Sequence, residues 1–117
     1  MNRDEEKLQK ACIKWFRYAY PFQKKLLHTH YQNHKIPYMR VLLSKMGWVK
    51  GCSDLEYNYD GKTYFIELKT PKGKQSKEQK DFQSTLEKQG FEYHLIRDLD
   101  SFINLIDKIN KFQKKTL

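Results

Sequence analysis

The sequence predicts an α/β domain in which a small mixed β-sheet is flanked by helices. Three observations predict it. First, the 117 residues run through helix-periodic and β-rich segments in the order α, α, β-hairpin, α, β, α. Second, Asp60-Gly61 separates two β-rich runs, Leu55 to Tyr59 and Thr63 to Lys69, and Asp-Gly in that position is among the strongest short hairpin signals. Third, the second of these runs is followed by a helical pattern and another strand, and residues 63–96 have the length of a βαβ crossover. Those two strands should therefore be parallel.

The elements follow in order. Asn2 is placed to cap a first helix, with Glu5 three residues on as the back-reaching acid of a capping box. Leu8, Ala11, Cys12, Trp15, Phe16 and Ala19 then recur at helical spacing until Pro21 ends the helix. Residues 22–36 suit either a short strand around Leu26, Leu27 and His28 or an irregular stretch before the Asn33-His34 turn signal. Pro37 suits the first position of a second helix, which Val41, Leu42, Lys45 and Met46 continue to a stop at Gly47. After the hairpin, Pro71 and Gly73 break the chain. Ser76 and Gln79 form a second capping box, and Phe82 and Leu86 mark the inner face of the helix up to Gly90. Phe91 to Ile96 reads as a strand. Asp98 or Ser101 starts a last helix with Phe102, Leu105, Ile106 and Ile109 inward, and residues 111–117 read as a frayed basic tail. The expectation is one domain over residues 1–117 with its core within about 5–106.

Composition excludes several classes. Five Gly and three Pro rule out collagen-like and low-complexity chains. No apolar run approaches the ~18–20 residues of a membrane span, and the charged N-terminus lacks the apolar core of a secretory signal. Two cysteines, Cys12 and Cys52, make neither a disulfide framework nor a four-ligand zinc pattern. A cytoplasmic protein is expected, with no membrane partner and no organic cofactor. Lys and Arg number 23 against 14 Asp and Glu, a net charge of +9. Such a surplus favours a polyanion, and nucleic acid before membrane, because the bases are not gathered on one amphipathic helix.

The hairpin carries the chemistry. With Asp60-Gly61 as a two-residue loop, Tyr59 faces Lys62, Leu55 faces Ile66 and Asp54 faces Glu67. Opposed residues have Cβ atoms about 4.5–5.5 Å apart. Two facing carboxylates repel, and a divalent cation between them reverses the sign of that interaction. Oxygen ligands of this kind suit Mg²⁺ or Mn²⁺. Glu67 and Lys69 are two apart on a strand and project to one face, which gathers two acids and an ammonium. One metal or two could activate water there, and Lys69 could hold that water or neutralise charge on a scissile phosphate. The competing account is a longer loop that shifts the register, with Glu67 and Lys69 on a solvated strand face.

At these residues the sequence resembles a known family. Gly51-Cys52-Ser53-Asp54-Leu55, Phe65-Ile66-Glu67-Leu68-Lys69, Gly73 and Ser76-Lys77-Glu78-Gln79 are similar to the VRR-NUC, or virus-type replication-repair nuclease, family of the PD-(D/E)xK superfamily. Glu5, Gln9, Trp15 and Tyr20-Pro21 resemble the first helix of its small phage members, and Asn33 with Met46-Gly47 fits the segment between. The resemblance implies a PD-(D/E)xK restriction-endonuclease-like core. It implies Asp54, Glu67 and the backbone carbonyl of Leu68 as metal ligands, Lys69 as the catalytic lysine, Glu5 as the helical acid and Gln79 as a polar residue pointing into the site. Glu6 is the alternative helical acid, about 100° away around the helix. The sequence departs from the family at Ser53, where a proline is usual. The small members are associated with homodimers that cut branched DNA, including four-way junctions.

The expected function is therefore metal-dependent hydrolysis of DNA phosphodiesters, selective for branched structure, by a homodimer. The alternatives are a catalytically silent DNA-binding module on the same fold, or a nuclease acting on RNA or on a specific DNA sequence. Lys72, Lys74, Lys77 and Lys80 flank the candidate site and are the expected contacts to the DNA backbone. His28, His30 and His34 lack a nearby acid or Cys to complete a zinc set, and fit phosphate or solvent contacts better.

Overall fold

A computed structural model describes residues 2–30 and 36–114. The element order is α1 (Arg3–Ala19), a 3-10 turn (Pro21–Leu26), β1 (Leu27–Thr29), α2 (Pro37–Lys45), β2 (Leu55–Tyr59), β3 (Lys62–Leu68), α3 (Lys77–Lys88), β4 (Glu92–Ile96) and α4 (Leu99–Lys114). The strands form one sheet in the order β1-β2-β3-β4. β1 and β3 run antiparallel to β2, and β4 runs parallel to β3. This is the mixed sheet with flanking helices that the element pattern predicts.

The hairpin has the expected register, from Tyr59 opposite Lys62 to Leu55 opposite Ile66. Asp60 (φ 51°) and Gly61 (φ 76°) both occupy the left-handed region, as a two-residue turn matched to strand twist requires. Both capping boxes are present. Asn2 accepts from the Glu5 N–H at 2.8 Å, and Ser76 accepts from the Gln79 N–H at 3.2 Å. Asp98 rather than Ser101 caps α4, its carboxylate accepting from the Ser101 N–H at 2.7 Å.

β3 is buried on both faces. On one, α1 and α4 bury Cys12, Phe16, Phe102 and Ile106 with Tyr57, Tyr64, Ile66, Leu68 and Ile96. On the other, α3 brings Phe82 edge-on to Phe65 and Tyr93. A buried polar link ties the 3-10 turn to α4: the Tyr57 hydroxyl donates to Gln23 at 2.5 Å and accepts from Asn110 at 3.1 Å.

Of the two readings of the segment after Pro21, the short strand holds: the 3-10 turn leads into edge strand β1, because Leu27 pairs with Tyr57 and buries its side chain. Asn33 and His34 lie outside the described residues. α2 starts at Pro37 as expected, but it buries no residue, and Tyr38, Val41 and Met46 are exposed. Its periodicity is helical without serving this core. Helix α4 runs to Lys114. No helix among the described residues is long and apolar enough to cross a membrane.

Candidate active site

The hairpin register places Asp54 one residue before β2 and Glu67 near the end of β3. Asp54 is 5% exposed and Glu67 fully buried. The Asp54 carboxylate accepts the Leu68 N–H at 2.6 Å. Its pKa is pushed up to about 6, first by burial and then by the charges of Glu67 and Glu5; the Leu68 bond and the Lys69 charge act in the opposite direction. Lys69, one residue past β3, is buried, and its Nζ lies 3.7 Å from the carboxylate of Glu5. Helix α1 thus brings Glu5 to the end of the central strand. Three buried carboxylates face a single buried ammonium, an excess of two negative charges when all are ionised.

Glu67 is held on one side only. Its Oε1 accepts from the Tyr93 hydroxyl at 2.7 Å and from the Gln75 amide at 3.0 Å. Its Oε2 is buried and has no hydrogen-bond partner. Burial and the Glu67 charge push the Tyr93 phenol far up, so it remains a donor. A buried carboxylate oxygen without a partner costs on the order of 1–3 kcal/mol or more. A divalent cation would satisfy it and offset the excess charge, so the donor set fits such an ion. Among the described residues, no three His, Cys, Asp or Glu side chains form a ready metal-holding group. An ion held by Asp54 and Glu67 would draw its other ligands from the Leu68 carbonyl, water and phosphate. Glu5 is committed in this geometry to Lys69 and to the Asn2 cap.

The backbone at Asp54 is clamped from the edge strand. The His30 N–H and the Thr29 hydroxyl both donate to the Asp54 carbonyl, at 3.0 and 3.2 Å. His30 Nδ1 lies 3.0 Å from the Ser53 carbonyl. Ser53 is fully buried and its hydroxyl donates to the Leu55 carbonyl at 3.2 Å. These bonds constrain the segment that a proline stiffens in the resembled motif. His28 lies elsewhere, against the Lys25 carbonyl.

Gln79 does not reach Glu67. Its amide oxygen accepts the Ser76 N–H at 2.8 Å, completing the cap, while the side chain lines the nearby cleft. The Glu67 contact belongs to Gln75, which the loop before α3 turns toward the strand end. The cleft measures about 1030 Å³ and its walls include Glu5, Lys69, Arg40, Lys45, Lys50 and Lys74. Asp54 and Glu67 are more deeply buried and do not line it. Lys74 is the one of the four expected DNA-contacting lysines that lines it; Lys72, Lys77 and Lys80 are exposed outside its walls. Arg97 carries no motif in the sequence, yet its guanidinium donates to the carbonyls of Thr70, Pro71 and Gly73 and ties down the loop after Lys69.

Gly51 seats this loop's helix. Its φ is +87°, and an added Cβ would stand 2.5 Å from the Glu78 carbonyl carbon and 2.8 Å from the Gln79 nitrogen, both backbone atoms. Left-handed backbone alone costs a non-glycine residue roughly 1–2 kcal/mol. Gly51→Ala should therefore lower thermal stability by roughly 10 °C or more. A melt indistinguishable from the wild type would show that α3 can shift freely.

The solved structures decide the fold. A VRR_NUC domain protein matches with a TM-score of 0.75, covering 92% of this chain and 88% of that one. The chain has the VRR_NUC fold. Sequence identity to this neighbour is 17%, so the likeness rests on backbone geometry. No protein-family model matches the sequence, and no curated protein matches it. In VRR_NUC terms, the motif-like segments 51–55 and 65–69 meet at one end of the sheet.

Proposed function

We propose that the chain is a divalent-metal-dependent endonuclease that hydrolyses DNA phosphodiesters, prefers branched DNA such as four-way junctions, and acts as a homodimer. The observation that carries the reading is the buried, one-sided Glu67 beside Asp54, Lys69 and Glu5, next to a cleft with cationic side chains on its walls. The net charge of +9 supports a polyanionic substrate. The preference for branched DNA and the homodimer rest on the resemblance of the motif segments to small VRR-NUC nucleases.

Asp54 and Glu67, with the Leu68 carbonyl, would hold Mg²⁺ or Mn²⁺. Such an ion supplies Lewis acidity at a phosphoryl oxygen and lowers the pKa of bound water. Lys69 presents a fixed ammonium that stabilises charge building on the phosphate or orients the attacking water. Glu5 holds that ammonium by opposite charge. Arg40, Lys45, Lys50 and Lys74 attract the phosphate backbone into the cleft.

The test is a cleavage panel. Labelled four-way junction, flap, single strand, linear duplex and RNA are incubated with Mg²⁺, Mn²⁺ or EDTA. Metal-dependent cutting of branched DNA above duplex is expected. Tight binding without cutting in either metal would establish the silent module, and RNA cleavage alone would reassign the substrate.

A further inference from the structure

We infer that Tyr93 and Gln75 are positioning residues that turn Glu67 so that Oε2 is the oxygen it presents to the metal; this rests on the nuclease reading above. A carboxylate offers about four lone-pair sites over two oxygens. Here both donors, Tyr93 at 2.7 Å and Gln75 at 3.0 Å, converge on Oε1. Oε2 stays buried and without a partner.

The two donors are themselves anchored. Tyr93 stands on β4 opposite Phe65, 8% exposed, with its ring edge-on to Phe82 on α3. Gln75 also donates to Gln83 at 2.8 Å, so its amide is held between α3 and Glu67. Oε1 is therefore restrained from both the sheet and the helix. A purely structural account, in which Glu67 merely accepts from a buried tyrosine, leaves the desolvation of Oε2 uncompensated. Partners of metal-ligating carboxylates orient them in this way, and losing one typically weakens metal binding about 10–100-fold.

The experiment is calorimetric titration of Mn²⁺ into the metal-free full chain, without DNA, for the wild type, Tyr93→Phe and Gln75→Ala. Circular dichroism checks that each is folded. Tyr93→Phe should raise the Mn²⁺ dissociation constant by about 10-fold or more, and Gln75→Ala should raise it by a smaller factor. Junction cleavage by Tyr93→Phe should saturate at correspondingly higher Mn²⁺, with the maximal rate largely recovered. A filler role would lower thermal stability without moving this midpoint. Wild-type Mn²⁺ affinity in the folded variants would overturn the inference while leaving the nuclease reading intact. Wild-type protein that binds no Mn²⁺ would overturn both. Wild-type protein that binds Mn²⁺ but cuts no nucleic acid would sink the nuclease reading alone, and the affinities would still decide the positioning role. If Tyr93→Phe does not fold, Gln75→Ala, which changes a half-buried loop position, decides the matter.

Discussion

Lys69→Ala should reduce the single-turnover cleavage rate by about 10²–10³-fold, the usual loss when a preorganised charge-stabilising donor is removed. Its ammonium is already in place, buried and 3.7 Å from Glu5. Little reorganisation is needed when charge develops on the phosphate. DNA binding, measured with Ca²⁺ to suppress cutting, should persist, because Arg40, Lys45, Lys50 and Lys74 remain on the cleft walls. Metal affinity should not fall either, since the three carboxylates are retained and their repulsion is less compensated. Lys69→Arg should not restore the rate, because a planar guanidinium cannot replace a compact point charge in a buried position. Wild-type cutting by Lys69→Ala would reduce Lys69 to a counter-ion for Glu5.

Asp54→Asn should eliminate cleavage and, in the absence of metal, stabilise the protein at neutral pH. The folded-state pKa of Asp54 is about 6 against an ordinary value of 3.8. Burial is the main cause. The folded protein therefore holds the Asp54 proton more tightly than the unfolded chain does. Below about pH 4 both states are protonated and the group is neutral to stability. As pH rises through 6 the folded state must bury a charge, and metal-free stability falls by up to about 3 kcal/mol. Asparagine removes that charge and can still accept the Leu68 N–H. With EDTA at pH 8, Asp54→Asn should melt higher by up to roughly 10 °C, and the gain should vanish near pH 4. Added Mg²⁺ should raise the melting temperature of the wild type and leave the variant unmoved. An equal or lower melting temperature for Asp54→Asn at pH 8 would mean that burial does not raise the folded-state pKa of Asp54.

Part of this site is legible in the sequence because local hydrogen bonding controls it. Asp60-Gly61 supplies two left-handed residues in succession, which sets the loop at two residues and the register of β2 on β3. Asp54 then approaches Glu67 by counting alone. The two capping boxes and the proline at the start of α2 are equally local. Each is settled within four residues, so the sequence is enough.

The remaining parts join residues far apart along the chain, and only the tertiary structure decides them. Lys69 meets Glu5 because α1 packs across the end of β3, and Tyr93 reaches Glu67 across 26 residues because β4 pairs parallel to β3. Gln75 and Gln79 are two glutamines four residues apart. The cap at Ser76 takes Gln79, and the loop that Arg97 ties down carries Gln75 to the strand end. α2 shows the same division from the other side, since its periodicity makes a helix but cannot say whether the core has room for it. Short-range geometry follows from the backbone preferences of neighbouring residues. Which side chains share a buried volume depends on how whole elements pack, and no window of the sequence contains that information.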